Sequence, residues 1–195
     1  AKSIVLSFDD GRKDSFYPVD PLLRTHNYSA VMFFISKFSI KDEEPYYLTL
    51  REVKKMIKTG RWEVGAHARD GHEYRTIDQA GTQGHYYSNK LWLPIKKRLE
   101  TDEEFENRIR ADLLLTKEEL ETTFGVPVKY FAYPYGDFGQ DSTNYPRAEE
   151  ILRRTVEGIY SQTFYQVAPG IRYSSNFPDE KFRKSASLFV RRIDI

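Results

Sequence analysis

Short apolar runs alternate with stretches of helical periodicity along the chain. Runs of this length, rich in β-branched and aromatic residues and bounded by polar turns, predict strands. The first two runs are apolar enough to be buried strands. The predicted strands are residues 4–8, 30–35, 62–66, 128–133, 158–162 and 188–193.

Between these runs, apolar residues recur at the three- and four-residue intervals of an amphipathic helix. Helices are predicted near residues 17–26, 49–60, 101–125 and 149–156. The second and third of these begin with a capping box, in which Thr49 pairs with Glu52 and Thr101 pairs with Glu104. A glycine ends each of these two helices, as is typical of a left-handed C-terminal cap.

This alternation of strands and helices predicts an α/β fold with parallel strands and right-handed crossovers. We expect the whole chain, residues 1–195, to form one domain. One connection, residues 73–100, has no clear periodicity and contains many polar and aromatic residues. Long connections in compact domains are usually functional or disordered. We therefore expect residues 73–100 to form a wall of an active site.

Composition and charge narrow the classes of function. The 30 basic and 29 acidic residues are interleaved and give a formal net charge of +1, so a nucleic-acid partner is not expected. No apolar run reaches the roughly 18 residues of a membrane span. The absence of cysteine excludes disulfides, thiolate catalysis and cysteine-ligated metals. Because the chain opens almost on its first strand, we expect a domain excised from a longer or exported protein that is extracellular, cell-surface or periplasmic.

Aromatic residues make up 15% of the chain, with 14 Tyr, 13 Phe and 2 Trp. Their flat apolar faces and polar edges suit stacking on sugar rings. Aromatic side chains also build hydrophobic cores. The sequence leaves both roles open for any one ring.

Polar residues follow three of the predicted strands. Asp9 and Asp10 follow the first, and His67 and His72 follow the third, while the fourth leads into residues 133–136, Tyr-Pro-Tyr-Gly. Because the carboxyl ends of parallel strands meet at one edge, we expect all three segments to face one cleft. Two imidazoles and one carboxylate are a common ligand set for a hydrolytic divalent metal. Each signal alone has an ordinary alternative, since Asp-Asp-Gly is also a turn sequence and one histidine of a pair can be structural.

These segments resemble the motifs of the polysaccharide deacetylase (NodB homology) domain of carbohydrate esterase family 4. Residues 7–11, Ser-Phe-Asp-Asp-Gly, are similar to its first motif, and residues 67–72, His-Ala-Arg-Asp-Gly-His, to its second. The histidines are five apart rather than the usual four. This spacing, and the long helix leading into residues 131–136, resemble the branch that deacetylates poly-N-acetylglucosamine of biofilm exopolysaccharide. The resemblance covers residues 3–140 and implies a distorted, incomplete (β/α) barrel.

The resemblance implies metal-dependent hydrolysis of N-acetyl groups from a polysaccharide partner, with poly-N-acetylglucosamine as the expected substrate. Asp10, His67 and His72 would hold a divalent metal. Such a ligand set suits zinc, and cobalt, nickel and iron also fit.

Further roles follow from the same resemblance. Asp9 would act as the catalytic base, and the backbone N–H of Tyr135 would stabilise the oxyanion. Asp70 lies between the two histidines and is expected to orient one of them. The residues expected to contact substrate are Tyr133, Pro134, Gly136 and His85.

The chain departs from the family pattern in two places. Residues 130–133 lack the arginine that usually precedes Pro-Tyr-Gly. No histidine follows His85, so the Leu-x-His motif that supplies a catalytic acid is absent. In the exopolysaccharide branch this histidine can lie before the first motif; otherwise another residue serves, or catalysis is impaired. The alternatives are a deacetylase of peptidoglycan, chitin or acetylated xylan, and a non-catalytic carbohydrate-binding pseudoenzyme.

Overall fold

The computed structural model describes residues 5–42, 45–166 and 188–192. The strands are β1 (Leu6–Phe8), β2 (Ala30–Phe34), β3 (Trp62–Ala66), β4 (Tyr74–Thr76), β5 (Gln83–His85), β6 (Trp92–Leu93), β7 (Arg98–Leu99), β8 (Tyr130–Ala132), β9 (Gln162–Gln166) and β10 (Leu188–Arg192). The helices are α1 (Lys13–Phe16), α2 (Val19–His26), α3 (Ser36–Ser39), α4 (Leu50–Lys58), α5 (Asp102–Phe124) and α6 (Ala148–Glu157), with a 3₁₀ turn at Pro134–Gly136.

Six strands form one sheet in the order β1-β2-β3-β8-β9-β10, and every pairing within it is parallel. Among the strands that the structure describes, β1 and β10 are not paired with each other, so the curled sheet remains open. The predicted α/β fold, a distorted and incomplete (β/α) barrel, is confirmed.

The most apolar predicted strand lies inside this sheet. All five residues of β2 are buried, as expected for a strand covered on both faces. Helices α4 and α5 both contact β3 and cover one face of the sheet. The capping boxes at Thr49 and Thr101 are present, and Gly125 ends α5 with a φ of 72°. Both helix starts and this helix end were therefore predicted correctly.

Two strand predictions need correction. The first strand is β1, which is shorter than predicted and only half-buried, because it is an edge strand; residues 1–4 lie outside the described part of the chain. The predicted strand at residues 158–162 is wrong. Gly158 caps α6, and Tyr160 donates its N–H to Val156 in the turn that follows, so β9 begins only at Gln162.

Residues 73–100 form two small antiparallel hairpins, β4–β5 and β6–β7. In the first hairpin, Tyr74 pairs with His85 across the two strands. The rings of both residues lie near that of Tyr135, at the carboxyl end of β8. The first hairpin therefore borders the strand ends.

Candidate metal centre

Asp9 and Asp10 lie in a tight turn directly after β1. Asp10 and Gly11 have φ values of 66° and 69°, in the left-handed region. A Cβ on Gly11 would lie 2.4 Å from the ring of Phe34, so this turn needs glycine. The turn leads the chain away and leaves both carboxylates at the strand end, with 25% and 30% of their side chains exposed.

His67 lies at the end of β3 and is 3% exposed. Its Nδ1 donates a hydrogen bond to the carbonyl oxygen of Ala132 at 2.8 Å, since a carbonyl can only accept. This bond fixes the ring and leaves Nε2 with a free lone pair, as in most metal-binding histidines. Nε2 lies 3.6 Å from Oδ2 of Asp9 and 3.7 Å from Oδ1 of Asp10.

His72 lies at the far end of the loop formed by residues 67–72, and its ring comes back beside that of His67 and the carboxylate of Asp10. Its ring centroid lies 4.4 Å from that of His67, and its Nε2 lies 3.8 Å from Oδ1 of Asp10. Burial, with a smaller contribution from His67, lowers the pKa of His72 to about 3, so the ring is neutral at physiological pH. Among the described residues, no group hydrogen-bonds this buried Nε2. Neutral imidazole with such an unsatisfied nitrogen is the form that binds a metal.

Ligand atoms of Asp10, His67 and His72 all lie within 4.8 Å of one another. The separations of 3.7 and 3.8 Å from Asp10 are too long for hydrogen bonds. The donor set and the unsatisfied nitrogen of His72 therefore fit a divalent cation held between the three side chains. Asp9 lies beside this group, with its Oδ2 3.6 Å from Nε2 of His67, and is not one of the three members.

A second group, His85, Asp137 and Asp141, also brings potential ligand atoms within 4.8 Å of one another. In this second group, however, the buried carboxylate of Asp137 already accepts hydrogen bonds from the protein. Asp137 accepts from Nδ1 of His85 at 2.5 Å and from the N–H of Gly139 at 2.9 Å. These hydrogen bonds explain why His85 and Asp137 lie together without invoking a metal.

The expectation that Asp70 orients a metal-binding histidine is wrong. Its carboxylate accepts hydrogen bonds from Lys37 at 2.9 Å and from Arg69 at 3.0 Å, away from both imidazoles. The backbone carbonyl of Ala132 orients His67 instead. A backbone group contributed by β8 leaves no signature in the side-chain sequence.

Tyr135 lies in the 3₁₀ turn after β8 with φ 58° and ψ 10°, an unusual conformation for a large residue. Its hydroxyl donates to the carbonyl oxygen of His72 at 2.7 Å, and its ring centroid lies 5.1 Å from that of His72. None of the hydrogen bonds among the described residues uses the N–H of Tyr135. This side chain is 48% exposed, so the turn borders the cleft.

The predicted substrate contacts divide into two groups. Tyr133, Pro134 and Gly136 are buried, and their contact with substrate stays a prediction. The Tyr133 ring packs edge-on against Phe131 in the core. Pro134 and Gly136 instead shape the turn that presents Tyr135.

His85 remains at the cleft within a cluster that the sequence did not reveal. Its ring stacks on Tyr135 with centroids 4.8 Å apart and planes at 14°. Asp137 accepts the Nδ1 hydrogen, and the hydroxyl of Tyr74 lies 2.9 Å from Nε2. Tyr74 and Asp137 are 11 and 52 residues from His85, so only the folded chain brings them together.

The amino-acid sequence of this chain matches a known family. A family profile described as polysaccharide deacetylase matches residues 1–151. Since this is more than half of the chain, the chain belongs to the polysaccharide deacetylase family. The resemblance drawn from its motifs is thereby confirmed.

Curated relatives include the poly-β-1,6-N-acetyl-D-glucosamine N-deacetylase of Escherichia coli K12, which is 26% identical over 149 residues. The match covers 70% of this chain but 22% of the E. coli protein. This chain therefore corresponds to about a fifth of the length of that relative.

Solved structures share the fold. A de-N-acetylase from Aggregatibacter actinomycetemcomitans superposes with a TM-score of 0.71 at 21% identity, covering 97% of this chain and 68% of that one. The BpsB deacetylase domain from Bordetella bronchiseptica gives a TM-score of 0.71 at 22% identity, covering 96% and 71%. In the part of this chain that the structure describes, no helix combines the length and apolar character needed to cross a membrane.

Proposed function

We propose that this domain removes N-acetyl groups from a polysaccharide by metal-dependent hydrolysis. The observation that carries the proposal is the convergence of Asp10, His67 and His72 beside Asp9 at one edge of the sheet. In a chain of the polysaccharide deacetylase family, this arrangement would supply a cation site and an adjacent base.

Asp10 and the two histidines would hold the metal, and zinc is the ion that this donor set favours, with cobalt, nickel and iron as alternatives. When bound, a divalent metal supplies Lewis acidity, which polarises an acetamide carbonyl and acidifies water. The bond from His67 to Ala132 keeps one ring oriented for this role. The low pKa of His72 keeps the other ring neutral.

Asp9 would carry a proton from the attacking water to the leaving amine. Its carboxylate lies beside the ligand set and is a quarter exposed, so it can accept a proton from an attacking water. The leaving amine must then be protonated, because an amide anion is too basic to depart. Having taken the water proton, Asp9 can return it to the amine nitrogen. We therefore assign both transfers to this one side chain, which lies beside the ligand set.

The N–H of Tyr135 would stabilise the negative charge that develops on the carbonyl oxygen. The left-handed backbone and the hydroxyl bond to His72 hold this residue beside the ligand set. Pro134, the preceding residue, has no N–H to offer.

The proposed substrate is poly-N-acetylglucosamine. The E. coli relative is named for the β-1,6-linked polymer, and the five-residue histidine spacing supports the same choice. A polymer of this kind lies outside the cytoplasmic membrane. We therefore propose an extracellular, cell-surface or periplasmic location.

A substrate panel tests this proposal. Acetate release would be measured from β-1,6-linked N-acetylglucosamine oligomers, chitin oligomers, peptidoglycan fragments and acetylated xylan. We expect the highest kcat/KM with the β-1,6-linked oligomers. Faster release from another glycan would reassign the substrate. Glycan binding without any acetate release would identify a pseudoenzyme.

His85 is proposed to support Tyr135 and border the substrate cleft. Replacing His85 with Gln removes the stacked ring but keeps an amide donor for Asp137. A stacked pair contributes about 0.5–1.5 kcal/mol, so kcat/KM should fall by about 2- to 10-fold while bound metal is unchanged. Tyr74→Phe is the matched control, since it removes only the hydroxyl near Nε2 and should stay close to wild type. Wild-type kcat/KM for His85→Gln would contradict this role.

A further inference from the structure

The loop from His67 to His72 must be held in one conformation if both imidazoles are to face the same metal. Residues 67–72 form a loop after β3 that brings the imidazole of His72 back beside that of His67. Within this loop, Ala68 has a left-handed φ of 65°, which is unfavourable for a residue other than glycine. Fixing the backbone of each residue costs about 1–2 kcal/mol of conformational entropy. The contacts that hold this loop therefore decide whether both imidazoles are presented together.

Asp112, on the buried face of α5, contacts the backbone of this loop. Its Oδ1 accepts from the N–H of Asp70 at 2.8 Å, and its Oδ2 lies 3.4 Å from the N–H of Arg69. The hydroxyl of Tyr87 donates to the same Oδ2. Asp112 is 5% exposed, so these bonds are made away from water, where an unpaired carboxylate would be costly.

Tyr87 also shapes the loop through its ring. A Cβ added to Gly71 would lie 2.5 Å from the Tyr87 ring and 2.6 Å from the Cβ of Ala68. The loop is therefore folded closely against Tyr87, and Gly71 is needed for that approach. The Tyr87 side chain is 2% exposed, so it forms a fixed surface under the loop.

Polar contacts hold the outer side of the loop more loosely. Asp70 and Arg69 pair with each other and reach Lys37 and Glu119. These side chains are each between 21% and 28% exposed, and solvent-screened pairs contribute little. The buried contacts from Asp112 and Tyr87 are therefore the stronger restraint.

We propose that Asp112 and Tyr87 are positioning residues that hold the His67–His72 loop in its ligand-presenting conformation and so set the metal affinity of the site. This inference rests on the metal centre of the proposed function. Outer partners of metal ligands typically change metal affinity by about 10- to 100-fold when they are lost. The variant Asp112→Asn has nearly the same shape as the wild-type side chain but only one acceptor oxygen. It therefore cannot accept both from the N–H of Asp70 and from the hydroxyl of Tyr87.

The test is metal binding, measured without substrate. Metal-free wild type, Asp112→Asn and Tyr87→Phe would be titrated with Zn²⁺ against a chelating dye, and with Co²⁺ by its visible absorption. We expect an affinity about 10- to 100-fold weaker for Asp112→Asn and a smaller loss for Tyr87→Phe, which retains the ring. The control is Thr155→Val, which removes a buried hydroxyl bonded to Ile151 within α6. It should lower Tm and leave metal affinity unchanged.

Each outcome is decisive. Wild-type metal affinity in folded Asp112→Asn would overturn the positioning role and leave the proposed function intact. If Asp112→Asn does not fold, unchanged affinity in Tyr87→Phe would overturn it equally. A wild-type protein that binds neither metal would overturn the metal centre itself, and this inference with it.

Discussion

Replacing Asp9 with Asn should lower the rate of deacetylation by at least the 10²- to 10⁴-fold that general acid–base catalysis typically contributes, about 3–5 kcal/mol in barrier height. Asn has nearly the same volume but cannot accept the water proton or return it to the amine. Because Asp9 lies outside the group formed by Asp10, His67 and His72, bound metal should remain at the wild-type level. The measurement is acetate release together with metal content.

The matched control for this variant is Asp14→Asn. Asp14 is a carboxylate in the neighbouring α1, but its side chain is 61% exposed and pairs with Arg12. Its replacement should leave both activity and metal content unchanged. Activity within a few-fold of wild type for Asp9→Asn would show that another group is the base.

Replacing His67 with Ala should abolish both metal binding and acetate release. The change removes one of three ligands, so the loss of affinity should exceed the about 10- to 100-fold typical of an outer partner. It also leaves the carbonyl of Ala132 without its bond from Nδ1. Metal content after dialysis, measured alongside acetate release, checks this prediction.

Two further variants make the result for His67→Ala interpretable. His67 is 3% exposed, so its truncation also creates a cavity and should lower Tm. His72→Ala removes a less deeply buried ligand and should give the same loss of metal. His26→Ala, at the exposed end of α2, should behave as wild type. Wild-type metal content and activity in His67→Ala would remove this residue from the site.

The part of the site that the sequence predicted follows from strand geometry. Asp10 and His67 are far apart in sequence, but each comes directly after a strand that lies in one parallel sheet. The carboxyl ends of such strands share an edge, so their convergence could be expected before the structure was known. The capped helices were equally predictable, because a capping box involves residues only three apart.

The part that the sequence did not predict depends on long-range contacts. Asp112 reaches Asp70 across 42 residues, and Asp137 reaches His85 across 52. The position of Asp112 between buried residues of α5 was one available signal, since a carboxylate on an apolar helix face needs a partner. Its partners, two backbone amides and a tyrosine hydroxyl, could not be read from the sequence.

Tyr133 illustrates a second limit of sequence reasoning. Its neighbour Tyr135 is of the same type in the same motif, yet one ring is buried in the core and the other borders the cleft. The left-handed backbone at Tyr135 turns the chain between them. A tertiary turn of this kind, rather than residue type, decides which aromatic ring can meet a sugar.

We propose that deacetylation by this domain requires a metal held by Asp10, His67 and His72. The most direct test of this requirement is acetate release from β-1,6-linked N-acetylglucosamine oligomers by the wild-type protein, before and after chelation and after metal is restored. We predict that chelation stops acetate release and that adding back Zn²⁺ or Co²⁺ restores it. Acetate release that continues unchanged in the metal-free protein would contradict the claim.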